Sequence, residues 1–294
     1  MNKMVIKGVS LAVLAGLCWG SMAVVAQHLM MSREVNGEQL AVLRILGAGV
    51  LLVLFDLVSS RGQSLKDVFR KENFKDLLIY GLGQLGIQGA FFLSIDYANA
   101  ATAAILVLTG PLFIVGFLAI GEHRKVRIVE IFAIVMSSIG VICLVTKGDL
   151  SGINFSVAGV FWGLVSAMCG AFCTVQPRKL LKRMSVMQVV GWGMFFGALL
   201  ACIIKPPFTF DIHWDQMMLA SYGYIVLIGT VSAFWCYLKS LKFVVPSVTS
   251  ILACFEPLSA VVLSVILLGT VFTVVEAIGA ALIFSTVFVL ARSK

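Results

Sequence analysis

Hydrophobic positions dominate the chain in ten long stretches that are separated by short polar segments. A helix needs roughly 20 apolar residues to cross the hydrocarbon core of a bilayer, and each stretch approaches that length. The pattern therefore predicts ten membrane-spanning helices, which we number as spans one to ten. Their predicted ranges are 8–30, 40–59, 77–95, 100–120, 128–146, 156–176, 186–204, 217–238, 247–268 and 272–291.

The composition agrees with a chain that lies almost entirely in the membrane. Of its 294 residues, 60% are hydrophobic and 12% are charged, against about 25% charged in soluble domains. The longest polar stretch, 59–76, is interpreted as an amphipathic linker rather than a domain. The apolar run after Lys7 is longer than the core of a signal peptide, about 7–15 residues, so it is interpreted as a retained first span.

The positive charges are distributed unequally between the two sides of the predicted membrane. With both termini in the cytoplasm, 18 of the 22 lysines and arginines fall in cytoplasmic segments and 3 in outer loops. An excess of basic residues in cytoplasmic loops sets the orientation of membrane proteins. The unequal distribution therefore predicts a multi-pass protein of the cell membrane with cytoplasmic termini. It also accounts for the net charge of +8, so no nucleic-acid partner is expected.

All seven cysteines fall inside predicted spans, which favours reduced, buried side chains over a disulfide framework. Cys169 and Cys173 share one helix face, but no histidine lies nearby in the sequence to complete a metal site. We therefore expect neither a metal nor a cofactor.

The second half of the chain repeats the first. Residues 83–144 align without a gap with residues 146 positions later. The shared positions are Gly83 with Gly229, Ser94 with Ser240, Ile105-Leu106 with Ile251-Leu252, Pro111-Leu112 with Pro257-Leu258, Glu130 with Glu276, Val141 with Val287 and Leu144 with Leu290.

The repeat unit contains five spans, so the second half must enter the membrane from the opposite side. Inverted repeats suit alternating access to a site between the two halves near the middle of the membrane. The predicted fold is thus an all-α polytopic membrane protein, with ten transmembrane helices arranged as two inverted five-helix repeats around a central cavity. The repeats are assigned to residues 1–147 and 156–294.

The two five-span repeats, the prolines in spans four and nine, and two sequence motifs resemble the EamA family of the drug/metabolite transporter superfamily. The motifs are "GPLFIVGFLAIGEH" at Gly110–His123 and "EAIGAALIFSTVFVL" at Glu276–Leu290. Span nine departs from the family by ending in Leu268-Gly269-Thr270 instead of Leu-Gly-Glu. The resemblance implies ten helices around a cavity lined by spans one, three, four, six, eight and nine. It also implies transport of amino acids, amines, nucleoside-like compounds or toxic organics, often outward.

Span three carries the clearest polar pattern. Tyr80, Gln84, Gln88 and Phe91 recur at steps of 4, 4 and 3, which places them on one helix face. Glycines occupy the remaining faces, where they permit close helix packing. The polar face is therefore predicted to line the cavity, with hydrogen bonding between helices as the alternative.

Aromatic residues supply further candidates for substrate binding. Trp19 lies deep in span one and is the tryptophan favoured for the cavity. The others lie near predicted span ends, where tryptophan often anchors a helix at the membrane interface. The weaker candidates are Trp162, Trp192, Trp235, Tyr224, Tyr237 and Phe255.

Span nine combines an acid with a proline, Glu256-Pro257, near its middle. A charge at that depth is costly, about 2.5 kcal/mol or more. Pro257 and its repeat partner Pro111 each free one backbone carbonyl, so both are predicted to bend their helices beside the cavity. Glu256 has no acidic partner in the first repeat, where Gly110 stands. It is predicted to be a neutral acid bonded to a neighbouring helix, a counter-ion for a cationic substrate or a proton carrier.

Arg44 lies about one turn into span two, counted from the outer side. Its side chain is expected to reach the interface or to pair with Asp96. Counting 1.5 Å per residue, the depths of Arg44 and Glu256 differ by about 10 Å. That separation argues against both residues gripping one small zwitterion.

The chain is therefore predicted to be a secondary transporter of small polar or amphipathic metabolites, with amino acids or related amines favoured and export as the direction. Its partners are the bilayer and a small-molecule substrate, with a proton as a candidate coupling ion. The alternative is import or export of organic cations by Glu256 and an aromatic cage. The sequence lacks a G-x-x-x-x-G-K-[ST] nucleotide site, which disfavours direct coupling of transport to ATP. A membrane enzyme is disfavoured, because the sequence contains neither G-x-S-x-G nor H-E-x-x-H.

Overall fold

The computed structural model of the protein describes residues 3–33, 35–62, 64–121, 125–146, 156–240, 243–244, 252 and 255–292. Every regular element within these ranges is helical, which confirms the predicted all-α class for this part of the chain. The predicted start of span nine, residues 247–251 and 253–254, lies outside the described residues.

The helices follow one another with short connections. In chain order they are α1 (Lys3–Arg33), α2 (Gly37–Ser59), α3 (Ser64–Val68), α4 (Lys71–Tyr97), α5 (Ala100–Val107), α6 (Gly110–Gly121), α7 (Ile128–Thr146), α8 (Ser156–Val175), α9 (Val186–Ile204), α10 (Gln216–Gly223), a π-helical segment (Tyr224–Ser232), α11 (Ala233–Ser240), α12 (Phe255–Leu268) and α13 (Val274–Arg292).

Among the described residues, seven helical stretches are long and apolar enough to cross a membrane. They are Met4–Arg33, Gly37–Ser59, Lys71–Tyr97, Ala100–Gly121, Val157–Arg178, Val186–Ile204 and Gln216–Ser240. The shorter apolar helices Ile128–Cys143, Phe255–Leu268 and Val274–Thr286 fall within the predicted spans five, nine and ten.

Polar residues fix where several helices begin. The first N–H groups of a helix lack partners within the helix, and side chains of Asn, Ser or Asp satisfy them. Asn36 accepts the N–H of Gln39 at 2.9 Å, and the Gln39 side chain accepts the N–H of Asn36 at 3.1 Å. Ser185 and Gln188 form the same reciprocal pair at the start of α9.

Ion pairs identify the two ends of the helix bundle. At one end, which we call the Asp215 end, Arg33 donates to Asp215 at 2.7 Å. The Met218 N–H and the Arg33 guanidinium hold the pKa of Asp215 below its usual value, so the carboxylate stays charged at neutral pH. At the opposite end, the Glu72 end, Arg183 donates to Glu72 at 2.9 Å.

Helices α1 and α8 run in opposite directions, as do α4 and α10. Helix α1 ends with Arg33 at the Asp215 end. Helix α8 begins there, where Ser94 Oγ donates to the Gly159 carbonyl at 2.7 Å, and ends near the Glu72 end, where Gln176 donates to the Asp76 carbonyl at 3.0 Å. Helix α4 starts at the Glu72 end, whereas α10 starts at the Asp215 end.

Helix packing joins the two halves throughout. Helix α1 packs against α12, the π-helical segment and α11, while α8 packs against α4, α5 and α6. Helices α2 and α9 pack against each other, as do α7 and α13.

The predicted span four is not one helix but two. Helix α5 ends at Val107 and α6 begins at Gly110, directly before Pro111. Proline cannot donate a backbone hydrogen bond, so the Val107 carbonyl lacks the helical donor that residue 111 would supply. In the turn between the two helices, the Thr109 side chain donates to the Leu106 carbonyl at 2.7 Å. The predicted span 100–120 is present as the spanning stretch Ala100–Gly121, with a break directly before Pro111, where a bend was predicted. Pro257 lies in α12, and the residues just before this helix, 253–254, lie outside the described residues, so its predicted bend stays a prediction.

Helices α4 and α9 approach each other at glycines. A Cβ atom added to Gly81 would lie 2.8 Å from the Gly193 carbonyl oxygen and 3.0 Å from the Gly197 nitrogen. Both neighbours are backbone atoms, so they cannot move as a flexible side chain would. Gly89, two turns further along α4, has no described atom within 4 Å of such a Cβ.

Substituting these two glycines should therefore give opposite results. Gly81→Ala should destabilise the protein by about 1–3 kcal/mol through overpacking. Gly89→Ala should leave stability unchanged or raise it by up to about 1 kcal/mol, because alanine favours the helix. Thermal unfolding of both purified variants in one detergent compares them, and equal unfolding temperatures would contradict the close approach.

Candidate functional site

A cavity of about 400 Å³ lies between helices from both halves. Its volume falls within the range of about 300–1,000 Å³ that is typical of small-molecule sites. The walls come from α1, α2, α4, α5, α6, α8, α11 and α12. Of the predicted site residues, those that line it are Trp19, Gln88, Phe91, Tyr237 and Glu256, together with Pro111.

Arg44 and Glu256, a basic and an acidic residue, both line this cavity. The count of residues along the spans predicted depths too different for them to act on one small molecule. In the structure the Arg44 side chain is directed into the bundle, toward Thr230 of span eight, and reaches the same cavity that Glu256 lines. Asp96, the alternative partner of Arg44, instead accepts the Gly37 N–H at 2.8 Å.

The π-helical segment holds the Arg44 side chain in place. Arg44 is 5% exposed, and its Nε–H donates to Thr230 Oγ1 at 3.0 Å. The Thr230 hydroxyl in turn donates to the Ile225 carbonyl, five residues earlier, at 2.9 Å. The Phe92 ring centroid lies 5.4 Å from the Arg44 guanidinium carbon, which adds a cation–π contact. The position of this charge therefore depends on the irregular geometry of span eight.

The two glutamines of span three have different surroundings. Gln88 is 4% exposed and lines the cavity, and its Oε1 has no hydrogen-bond partner among the described residues. Gln84 is not among the described lining residues. Its amide donates to the Tyr80 hydroxyl at 2.7 Å. Tyr80 itself is buried against α9, close to Gly193. Gln84 and Tyr80 thus stabilise helix packing, whereas Gln88 presents an unsatisfied acceptor.

Three aromatic rings meet on one side of the cavity. The Trp19 ring lies 5.4 Å from that of Phe234 and 5.5 Å from that of Tyr237, and all three residues line the cavity. Phe255 packs close to Gly16 of α1, and the Tyr224 hydroxyl hydrogen bonds with Ser21 Oγ at 2.8 Å.

The other candidate tryptophans lie elsewhere. Trp192 donates from Nε1 to Asp56 Oδ2 at 3.0 Å within a buried aromatic cluster. Trp162 contacts Phe161, with 5.2 Å between the ring centroids. Trp235 is 43% exposed, and the Lys239 ammonium lies 4.1 Å from its ring. None of the three is among the described residues that line the main cavity.

Sequence reasoning did not assign several residues of the cavity wall. They are Met22, Arg44, Ile87, Ile114, Ser166, Thr174 and Phe234. A span-by-span reading identifies polar or aromatic residues but not which helices face one another. No cluster of metal-binding side chains is present within the described ranges.

An apolar core lies toward the Asp215 end of the described bundle. This core includes Leu29, Leu40, Phe92, Met218 and Ile225. At the same level, Gln27 accepts the Ala100 N–H at 2.8 Å and so joins α1 to the start of α5.

Comparison with known proteins matches two segments, residues 6–146 and 157–292, to the EamA-like transporter family. The protein "Uncharacterized inner membrane transporter YicL" of Salmonella typhimurium is 34% identical over 286 residues, covering 97% of this chain and 95% of that protein. An uncharacterized transporter of Clostridium kluyveri is 24% identical, covering 89% and 87% respectively. A crystal structure with 21% identity covers 97% of both chains at a TM-score of 0.64, which shows a shared fold.

The Arg44–Thr230 contact leads to a test with a matched control. Thr230→Val removes the hydroxyl and leaves a buried guanidinium N–H without its acceptor, which should cost about 1–3 kcal/mol. Thr230→Ser retains the hydroxyl and should lose much less. Unfolding temperatures of both purified variants measure the difference, and the contact is not important if the valine variant unfolds no earlier than the serine variant.

Proposed function

Because the chain belongs to the EamA-like transporter family, we propose that it is a secondary transporter of small polar or amphipathic metabolites. Amino acids or related amines are the favoured substrates, and export is the favoured direction. Transport proceeds by alternating access in the cell membrane, with both termini in the cytoplasm. Protons are a candidate coupling ion.

The cavity is the observation that carries this proposal. It is enclosed by helices of both halves, and its described wall combines a cation, an anion and an unpaired amide oxygen with aromatic rings. Ionisable residues at membrane depth are costly and typically mark substrate pathways. A ligand with polar groups would satisfy Gln88 and both charges, whereas a purely structural interior would be expected to contain fewer such groups.

The helix contacts support inverted repeats and alternating access. Exchanging the two halves converts the contact of α1 with α12 into that of α8 with α5 and α6. The same exchange converts the contact of α4 with α8 into that of span eight with α1, and it leaves the pairs α2–α9 and α7–α13 unchanged. Two related half-structures that face opposite ways can exchange conformations, and this exchange opens one site to each side in turn.

A second candidate is the transport of organic cations. The rings of Trp19, Phe234 and Tyr237 favour it, because aromatic faces attract cations and Glu256 lines the same cavity. Amines and quaternary ammonium compounds therefore belong in any substrate screen.

Replacing Glu256 tests the transport function directly. Purified protein in liposomes loaded with a metabolite mixture should exchange a labelled substrate in a saturable, counterflow-capable manner. Glu256→Gln should reduce this exchange at least tenfold, because a neutral amide cannot compensate a substrate cation or carry a proton. Glu38→Gln, at the Asp215 end, is the matched control, and unchanged transport by the Glu256 variant would remove Glu256 from the mechanism.

Leucine substitutions at the two span-three glutamines separate binding from packing. Gln88→Leu removes an unsatisfied buried oxygen, so it should keep or raise the unfolding temperature while it lowers the transport rate. Gln84→Leu breaks the hydrogen bond to Tyr80 and should lower the unfolding temperature. If Gln88→Leu instead destabilises the protein and leaves transport intact, Gln88 has a structural role.

A further inference from the structure

We propose that an anionic phospholipid binds a groove on the outside of the helix bundle, with an acyl chain in the groove and its phosphate at Lys239. The groove, which we call the Trp235 groove, lies between α2, α9 and span eight. It is lined by Leu52, Phe55, Met187, Val231, Ser232 and Trp235, and it shares no described lining residue with the main cavity. The proposal therefore concerns a second site and does not depend on the transport function.

The groove is apolar and opens on a surface that faces the bilayer. Phe55 is 54% exposed and Trp235 is also exposed, and each belongs to a stretch long enough to span the membrane, Gly37–Ser59 and Gln216–Ser240. The groove volume is about 130 Å³, below the range of about 300–1,000 Å³ that is typical of complete small-molecule sites. An apolar groove of this size beside lipid fits a length of hydrocarbon chain.

A positive charge lies at the wall of this groove. The Lys239 ammonium is 4.1 Å from the centroid of the Trp235 ring, one helical turn earlier in the chain. This direction agrees with the lean of helical side chains toward the start of their helix. No described carboxylate lies within ion-pair distance of Lys239. The ammonium is therefore able to bind an anionic group that comes from outside the protein.

A phospholipid matches both features, because it joins a phosphate directly to hydrocarbon chains. Basic residues next to the membrane attract lipids with a net negative charge. A zwitterionic lipid carries its own cation beside the phosphate, and Lys239 would repel that cation. Ser232 adds a hydroxyl to the groove wall, and this hydroxyl is able to donate to an ester carbonyl of the lipid. These features favour an anionic phospholipid over a zwitterionic one.

The groove also adjoins the segment that holds Arg44. Val231 and Ser232 directly follow Thr230 in the π-helical segment, and Thr230 Oγ1 accepts the Arg44 Nε–H at 3.0 Å. Leu52 lies on α2, the helix that carries Arg44. A lipid in the groove would therefore pack against two elements that position this buried charge. Because a ligand that binds the folded state stabilises it, bound lipid should raise the unfolding temperature of the protein.

Tryptophan fluorescence in bilayers tests the proposal, because bromine atoms on an acyl chain quench a nearby indole ring. The protein is reconstituted in phosphatidylcholine with an equal, low fraction of either brominated phosphatidylglycerol or brominated phosphatidylcholine. The difference between the wild-type protein and Trp235→Phe gives the signal of Trp235. Its quenching should show that phosphatidylglycerol binds about fivefold more tightly, the preference expected for one lysine beside an anionic lipid.

Three variants, each compared with the same variant that also carries Trp235→Phe, separate the charge from the groove. Lys239→Gln should abolish the preference for phosphatidylglycerol, while brominated phosphatidylcholine still quenches Trp235. Ser232→Leu fills the groove and should weaken quenching by both lipids. Lys182→Gln removes an exposed charge that does not line the groove, so it should retain the wild-type preference.

Native mass spectrometry of the wild-type protein provides a second measurement that needs no variant. Protein released from mixed micelles should retain phosphatidylglycerol in preference to phosphatidylcholine. Equal retention of the two lipids overturns the proposal, whether or not the variants fold. An equal loss of preference in Lys239→Gln and Lys182→Gln also overturns it, because general attraction to the surface would then explain the binding. Unchanged quenching in Ser232→Leu excludes the groove as the site of the acyl chain.

Discussion

A charged side chain within the thickness of a membrane has to be compensated, and much of this structure follows from that constraint. Hydrocarbon offers no hydrogen bonds, so the compensation must come from protein, water or a ligand. Arg44 obtains it from Thr230 and the Phe92 ring, and Glu256 lines the same cavity. The two charges come from different halves of the chain. Their compensation therefore requires the halves to pack together around one shared space.

The backbone irregularities lie beside the same space. The break between α5 and α6 places Val107, Gly110 and Pro111 on the cavity wall. The π-helical segment of span eight supplies Thr230, the acceptor for Arg44. Non-helical backbone is tolerated at membrane depth where protein or a cavity satisfies the freed groups, and π-helical turns frequently occur at functional sites.

Much of the architecture could be predicted from the sequence, because membrane helices are specified by local properties. Length and hydropathy give the spans, and Pro111 marks the break in span four without any knowledge of the neighbouring helices. Trp19 and Glu256 could be selected because a large ring or a carboxyl group deep in a span is unusual, and both residues line the cavity.

The rest depends on which helices face each other. Gln84 and Gln88 lie one turn apart on the same face, and local sequence does not distinguish them. Gln84 meets Tyr80 beside α9, while Gln88 lies where the helices separate. The reach of Arg44 is also hidden from the sequence, because counting residues gives the depth of a backbone position, whereas a long side chain extends several ångströms along the membrane normal. The π-helical segment has no proline or other local signal in "YIVLIGTVS".

The charge pair also bears on how substrate binding relates to conformational change. A ligand shifts a conformational equilibrium only through different affinities for the two states. Arg44 lies on α2, which packs against α9, and Glu256 lies on α12, which packs against α1 and α5. A substrate that contacts both would join these two groups of helices, and it would do so best in the state that brings them closest. Selection of the substrate and closure around it would then depend on the same two side chains.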